Sequence, residues 1–391
     1  MSIGVKFGVN VLKLLFIIEL LLQLVSLGRY LYYKYQDNLY LKRQISENWY
    51  LRNSKNRWRF EESAWIYADY HPLLGWLPRP MQKEHVHITQ ERIRETMFNS
   101  HGYLENETQV FMFGGSTLWG VYTSDNETIS SLLAKNLNTA SHIYSVTNFG
   151  QIAFNSNQEL VYLTQVLKEG KKPSIIIFYD GCNDLFFDLK HGLSTYSVFY
   201  EEGIKFKMGN MWQFFQRESP TNLSLFNSDL LMLIKNYSPK YIKLYYYTQK
   251  IIENLLGKTT KSEINLQVPQ IENDTFVDRV IGNYEQNVKV IDALSQTYGF
   301  KYILVWQPLL FTKKIRTNDE KRINHYNPNN PELMYILITD RIKKTHLKNF
   351  YDLTAIFDNE QESIFIDECH VTPEGNEIIS KNLEEILKEK L

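Results

Sequence analysis

Four short stretches of the chain carry residue types that could do chemistry. Gly114-Gly115-Ser116-Thr117 follows the apolar run Val110-Phe111-Met112-Phe113. The others are Asn148-Phe149-Gly150-Gln151, Tyr179-Asp180-Gly181-Cys182-Asn183-Asp184 and, far downstream, Asp367-Glu368-Cys369-His370. A serine, an amide and an imidazole near a carboxylate are the types used in nucleophilic catalysis, where a hydroxyl attacks only if a base takes its proton. Each stretch also has a plainer reading. Gly-Gly-Ser after a strand is commonly a turn into a helix, Gly150 could serve a turn that needs positive φ, Gly-x-Asn-Asp could cap a helix, and Asp-x-x-His is commonly a surface pair. Their order along one set of alternating elements sets them apart.

Those elements are legible from periodicity. Val110 to Phe113 reads as a strand stopped by Gly114-Gly115, followed by a helix near 126–138. His142 to Phe149 reads as a strand, and Asn157 to Lys168 as a helix with Leu160, Leu163 and Leu167 on one face. Ser174 to Tyr179 is a continuous apolar run, as expected of a parallel strand covered on both sides. A helix at about 275–298, a strand at 302–306, a helix near 331–345, a short strand at 350–353 and a closing helix from Pro373 complete the set. Strands alternating with helices predict a doubly wound, mostly parallel α/β sheet. In such a sheet ligands bind beyond the carboxyl ends of the strands, where the first three stretches fall.

Other motifs fail on their residues. Gly115 and Gly120 have phosphate-loop spacing, but Val121-Tyr122 replaces the required Lys-Ser/Thr. A Gly-x-Ser-x-Gly elbow is broken by Leu118. There is no His-Glu-x-x-His, and His85 and His87 alternate as on a strand without a nearby third ligand, so no metal is expected. With 43 basic against 44 acidic side chains, the net charge of −1 gives no electrostatic footprint for nucleic acid.

In these residues the sequence resembles the SGNH (GDSL-like) hydrolase superfamily over about 108–185 and 275–391. Gly114-Gly115-Ser116 is similar to its first block, with Gly115 where the family often has Asp. Gly150 stands for its second, Gly181-x-Asn183-Asp184 for its third and Asp367-x-x-His370 for its last. The resemblance implies a flavodoxin-like three-layer sandwich and a serine esterase or acyl hydrolase without a cofactor. Ser116 would be the nucleophile, His370 the base and Asp367 the group that fixes its tautomer. The backbone N–H groups of Ser116 and Gly150 and the Asn183 amide would form the oxyanion hole. Asp184 would brace the loop. The stretch Phe113–Trp119, with the His71–Pro80 lead-in, is similar to membrane-anchored bacterial members associated with surface polysaccharide, so an acylated glycan is the expected substrate class. An O-acyltransferase with the same triad, a catalytically inactive glycan-binding factor and a flavodoxin-like nucleotide binder are the rival readings.

The segments outside this resemblance carry three further expectations. Phe7 to Gly28 is mostly apolar, and 22 helical residues span roughly 33 Å, enough for a hydrocarbon core. Despite Lys13 and Glu19 it reads as an N-terminal anchor over 1–29 in contact with membrane lipid, ahead of a cleaved signal peptide or an interfacial helix. The charge count leans weakly against export, whereas the resemblance places the 108–391 domain outside the cytoplasm. Residues 30–107 read as a juxtamembrane neck and lead-in, and about 186–274 as a helical insertion. Finally, the only two cysteines, Cys182 and Cys369, directly precede Asn183 and His370. If those two converge on one carbonyl, a disulfide between the cysteines is expected in an oxidising compartment. The alternative is a pair of buried thiols packed as small apolar groups.

Overall fold

The computed structural model describes residues 45–64, 68–99, 107–138, 143–191, 273–323 and 330–390, with scattered helical positions between 13 and 43. The chain divides into one unit of residues 1–44 and 203–267 and another of 45–202 and 268–391. The second unit holds all four chemistry-bearing stretches. Among the described residues no helix is long and apolar enough to cross a membrane. The expected span at 7–28 lies largely outside the described residues, as does the expected insertion at 186–274 except for its two ends.

The segment read as a neck is part of the second unit from residue 45 onward. Asn48 Nδ2 and Trp49 Nε1 donate to the carbonyls of Ile366 at 2.8 Å and Phe365 at 2.9 Å, beside the fourth stretch. A helical turn at 54–64 leads to the antiparallel pair β1 (Ala68–His71) and β2 (Gly75–Pro78), then to the shorter pair β3 (Met81–Gln82) and β4 (His87–Ile88). Arg94 then bridges to Asn148 and so occupies the outer edge of the main sheet.

That sheet has five parallel strands in the order β6-β5-β7-β8-β9: β5 (Thr108–Gly114), β6 (Tyr144–Asn148), β7 (Ile175–Asp180), β8 (Lys301–Trp306) and β9 (Phe350–Asp352). Among the described residues the helices around the sheet are α1 (Ser116–Trp119), α2 (Ile129–Leu137), α3 (Ser156–Lys168), α4 (Cys182–His191), α5 (Asn273–Tyr298), α6 (Pro331–Ile342) and α7 (Pro373–Lys390). Because side chains alternate across a strand, the same strands feed two cores. Phe111, Phe113, Ile176, Phe178 and Leu304 pack with Leu163 of α3, Val280 of α5 and Ile338 of α6. Val110, Met112, Ile177, Ile303 and Val305 pack on the other side with Leu133 of α2 and Leu383 of α7. The result is three layers, with the strand order reversing between β5 and β7. That reversal opens a crevice at the carboxyl ends of these two strands. The loops carrying Ser116 and Asn183 leave from there.

Candidate active site

Ser116 is the first residue of α1, set at the end of β5 by a tight passage through Gly114 and Gly115. A Cβ at Gly115 would come within 2.3 Å of Asn183 Nδ2 and 3.1 Å of the Phe154 carbonyl oxygen. Glycine is needed there for close approach: the backbone before the serine lies directly against the amide. α1 ends after one turn at Gly120, whose φ of 96° only glycine adopts without cost.

His370 sits in a tight turn in which Ile366 N–H donates to its carbonyl at 2.8 Å and Phe365 bridges to Val371. Its Nδ1 lies 2.7 Å from Asp367 Oδ2 and 2.9 Å from Oδ1, and its Nε2 lies 2.8 Å from Ser116 Oγ. A carboxylate can only accept, so Nδ1 carries the hydrogen and Nε2 of the neutral ring accepts from the serine hydroxyl. The backbone N–H groups of His370 and Cys369 also donate to Asp367 Oδ1, at 2.8 and 3.0 Å. Burial pushes the Asp367 carboxyl up, but the His370 charge and these hydrogen bonds outweigh it and hold it below the usual carboxylate range. Burial lowers the imidazole, yet the Asp367 charge and hydrogen bond raise it well above the ordinary value. Both side chains keep some exposure, 14% for His370 and 24% for Asp367, so a substrate can reach them. The Tyr122 ring meets the imidazole edge-on, with centroids 5.4 Å apart.

Asn183 lies one residue into α4 and donates from Nδ2 to the Phe154 carbonyl at 2.6 Å. One amide hydrogen is thereby fixed and the other is left for a ligand. Asp184 accepts from Ser156 N–H at 3.2 Å and from Ser156 Oγ at 2.5 Å, tying the start of α4 to the start of α3. Gly150 is not available in the expected way. Its N–H donates to Asn148 Oδ1 at 2.9 Å, and a Cβ there would stand 2.8 Å from Trp119 N. This glycine is a packing residue against α1, and its donor is spent. Three residues on, Ala153 has φ 66°, a left-handed conformation that residues with a Cβ seldom take. Among the described residues its N–H has no acceptor. Ala153 carried no signal in the sequence, because nothing about an alanine announces a positive φ.

The expected disulfide is also corrected. Cys182 and Cys369 are both free thiols, the first buried and the second half-buried. They are neighbours, with the Cys369 thiol hydrogen-bonded to Cys182 instead of bridged to it. The hydrogen bond to Cys182 and then burial push the Cys369 thiol well above its ordinary value.

Arg94 was missed as well. It is fully buried, its Nη2 donates to the Thr123 carbonyl at 2.8 Å, its Nε pairs with Asp125, and it stacks on Trp119 with 4.5 Å to the ring centroid. It thus holds the loop that follows α1. His85 pairs with Glu62 at 3.3 Å and His87 with Asp125 at 2.6 Å. The ligand atoms of His87, Glu95 and Asp125 lie close enough to share an ion, but the Arg94 guanidinium already neutralises Asp125.

No family model matches the chain, and no curated protein matches it. Solved structures that align with it include a lipolytic G-D-S-L family protein from Veillonella parvula (10% identity, TM-score 0.37, covering 72% of this chain and 98% of that one). They also include the psychrotrophic esterase EstA from Pseudoalteromonas sp. (12%, 0.36, 72% and 97%) and the acetylxylan esterase Axe2 from Geobacillus stearothermophilus (10%, 0.35, 73% and 96%). Likeness at this level carries no weight beside the site's own geometry.

Proposed function

We propose that this protein is a serine ester hydrolase of the SGNH (GDSL-like) kind. The observation that carries the reading is the continuous relay from Asp367 through His370 to Ser116, with both imidazole nitrogens engaged at 2.7 and 2.8 Å. Ser116 Oγ attacks the ester carbonyl while its proton passes to His370 Nε2, and Asp367 stabilises the imidazolium that forms. The tetrahedral oxyanion is received by the Ser116 N–H, the free hydrogen of Asn183 Nδ2 and the N–H of Ala153, which replaces Gly150 as the third donor. Collapse expels the alcohol, which takes its proton from His370. Water, deprotonated by the same nitrogen, then frees the acid and restores the serine.

An acylated surface glycan remains the substrate class proposed from the sequence, and the apolar stretch at 7–28 would hold the site at a membrane. The test is covalent labelling of the full-length chain with a fluorophosphonate, together with hydrolysis of p-nitrophenyl acetate. Wild type should label and turn over, and Ser116→Ala should do neither while unfolding at the same temperature. Persistent labelling of Ser116→Ala would overturn the assignment.

A further inference from the structure

Behind the loops that carry Asn183 and Ala153 lies a group of acids whose bonded partners are neutral. Glu159 of α3 is 1% exposed and Asp180, at the end of β7, 4% exposed. Asp184 of α4 is buried beside them. Asp184 is satisfied by Ser156 and by Gly181 N–H at 3.4 Å, and Asp180 Oδ2 accepts from Tyr284 Oη of α5 at 2.8 Å. That leaves Asp180 Oδ1 and Glu159 Oε2, both buried and, among the described residues, reached by no donor. The two carboxyls lie within hydrogen-bonding range of each other. Two carboxylates have no hydrogen to exchange, so only a shared proton satisfies both oxygens. Burial acts in the same direction, since an ionised carboxylate in an apolar enclosure is costly without a cation. It pushes Asp180 up to about 7, and burial followed by the charge of Asp180 holds Glu159 well above the usual carboxylate range.

We propose that Glu159 is a positioning residue: its carboxyl hydrogen, bonded to Asp180, sets the loop that presents Asn183 to the oxyanion. The inference rests on the serine hydrolase reading. Asp180 runs directly into Gly181, Cys182 and Asn183, and its carbonyl is fixed by Gln307 N–H at 2.9 Å. Asp184 closes the other end of this loop on Ser156, which Asn287 Nδ2 also holds at 3.0 Å. Both oxyanion loops therefore hang on one buried cluster. The titratable groups facing it are Glu159 from α3, Asp180 from β7, Asp184 from α4 and Tyr284 from α5. Raising the pH removes the shared proton, and the two facing carboxylates then repel. The displacement falls on the loop between Asp180 and Asp184.

The test is the pH dependence of kcat and KM for p-nitrophenyl acetate on the full-length chain, with fluorophosphonate labelling run in parallel. Wild-type kcat should decline on the alkaline side. Glu159→Gln, whose amide donates to Asp180 but does not ionise, should keep neutral-pH kcat within about twofold and lose that decline. Glu159→Ala should lower kcat about tenfold with KM little changed, a fraction of the cost of deleting a donor outright. Superimposable wild-type and Glu159→Gln profiles, with labelling intact, would overturn this proposal alone. An unlabelled wild-type Ser116 would overturn the hydrolase reading and this inference with it. If Glu159→Ala does not fold, the Glu159→Gln profile decides.

Discussion

Asn183 and Phe154 are joined by a 2.6 Å hydrogen bond from the side-chain amide to the backbone carbonyl. This bond links the loop after β7 to the loop before α3, so one orphan hydrogen of the amide and the peptide next to Phe154 are held as a unit. A donor fixed before the substrate arrives needs no reorganisation when charge develops, and that is the source of its catalytic value.

Asn183→Ala should therefore lower kcat by about 10²–10³-fold with little change in KM, because the oxyanion exists only after attack. Gly115→Ala should produce a loss of the same kind, since its Cβ would fall 2.3 Å from Asn183 Nδ2 and force the amide away. Steady-state kinetics on one ester separates these effects. A rise in KM alone in Asn183→Ala would make the residue a substrate contact instead.

Ala153 and Gly150 should respond in opposite directions. The left-handed backbone at Ala153 costs a residue with a Cβ roughly 1–2 kcal/mol, and a glycine gives back about 0.5–1 of that through its larger entropy loss. Ala153→Gly is expected to raise the melting temperature slightly and to keep activity. Gly150→Ala must push against Trp119 N, 2.8 Å from the new Cβ, and should destabilise by about 1–3 kcal/mol. Thermal unfolding of both variants beside wild type checks the pair.

The pH profile follows from the relay. His370 must be neutral to act as base, so kcat/KM rises as pH passes its raised value, and the acid limb should lie above about 6.5. Asp367→Asn removes the raising charge and leaves the burial, which moves the limb to lower pH while the plateau drops by about 10⁴-fold. Stability carries the same signs. The share from His370 is complete below about 6.5 and is lost as pH climbs through its folded value, whereas that from Asp367 is present above about 3.9 and is lost as pH falls through its depressed value. An acid limb that Asp367→Asn leaves in place would assign the titration to another group.

Arg94→Met should cost about 3–5 kcal/mol, because it removes the buried Asp125 carboxylate's guanidinium and leaves it His87 alone among charged or titratable partners. Replacing Asp125 by Leu in the same chain should recover part of that loss. Urea unfolding midpoints of the single and double variants measure it.

How far the sequence could be read depended on what each residue's role rests on. The five parallel strands and the helices between them were legible because their apolar runs obey the strand and helix periods. Ser116, Asn183, Asp367 and His370 were legible because their side-chain chemistry is distinctive at strand ends. Gly150 was misassigned because a glycine before a helix has two uses, close packing and a free N–H, and sequence does not tell them apart. Ala153 was invisible because its contribution is a backbone angle. Arg94 was invisible because its partner Asp125 is 31 positions away, and pairing at that distance leaves no periodic trace. Residues 30–107 read as a juxtamembrane neck and lead-in, since the bonds from Asn48 and Trp49 that tie the part from 45 onward to the main domain are made to carbonyls, which every residue has.

Ser116 and His370, the proposed nucleophile and base, are 254 positions apart in the chain. Ribosomes deliver Ser116 and Asn183 long before His370, and the turn that bears the imidazole is followed by α7, which must pack against α2 to close the second core. Contacts of such sequence separation form late and slowly. On the proposed reading, a growing chain thus carries a serine without a base, and a product that ends early would stay inert. Catalytic competence, on that reading, would itself report that synthesis and folding are complete.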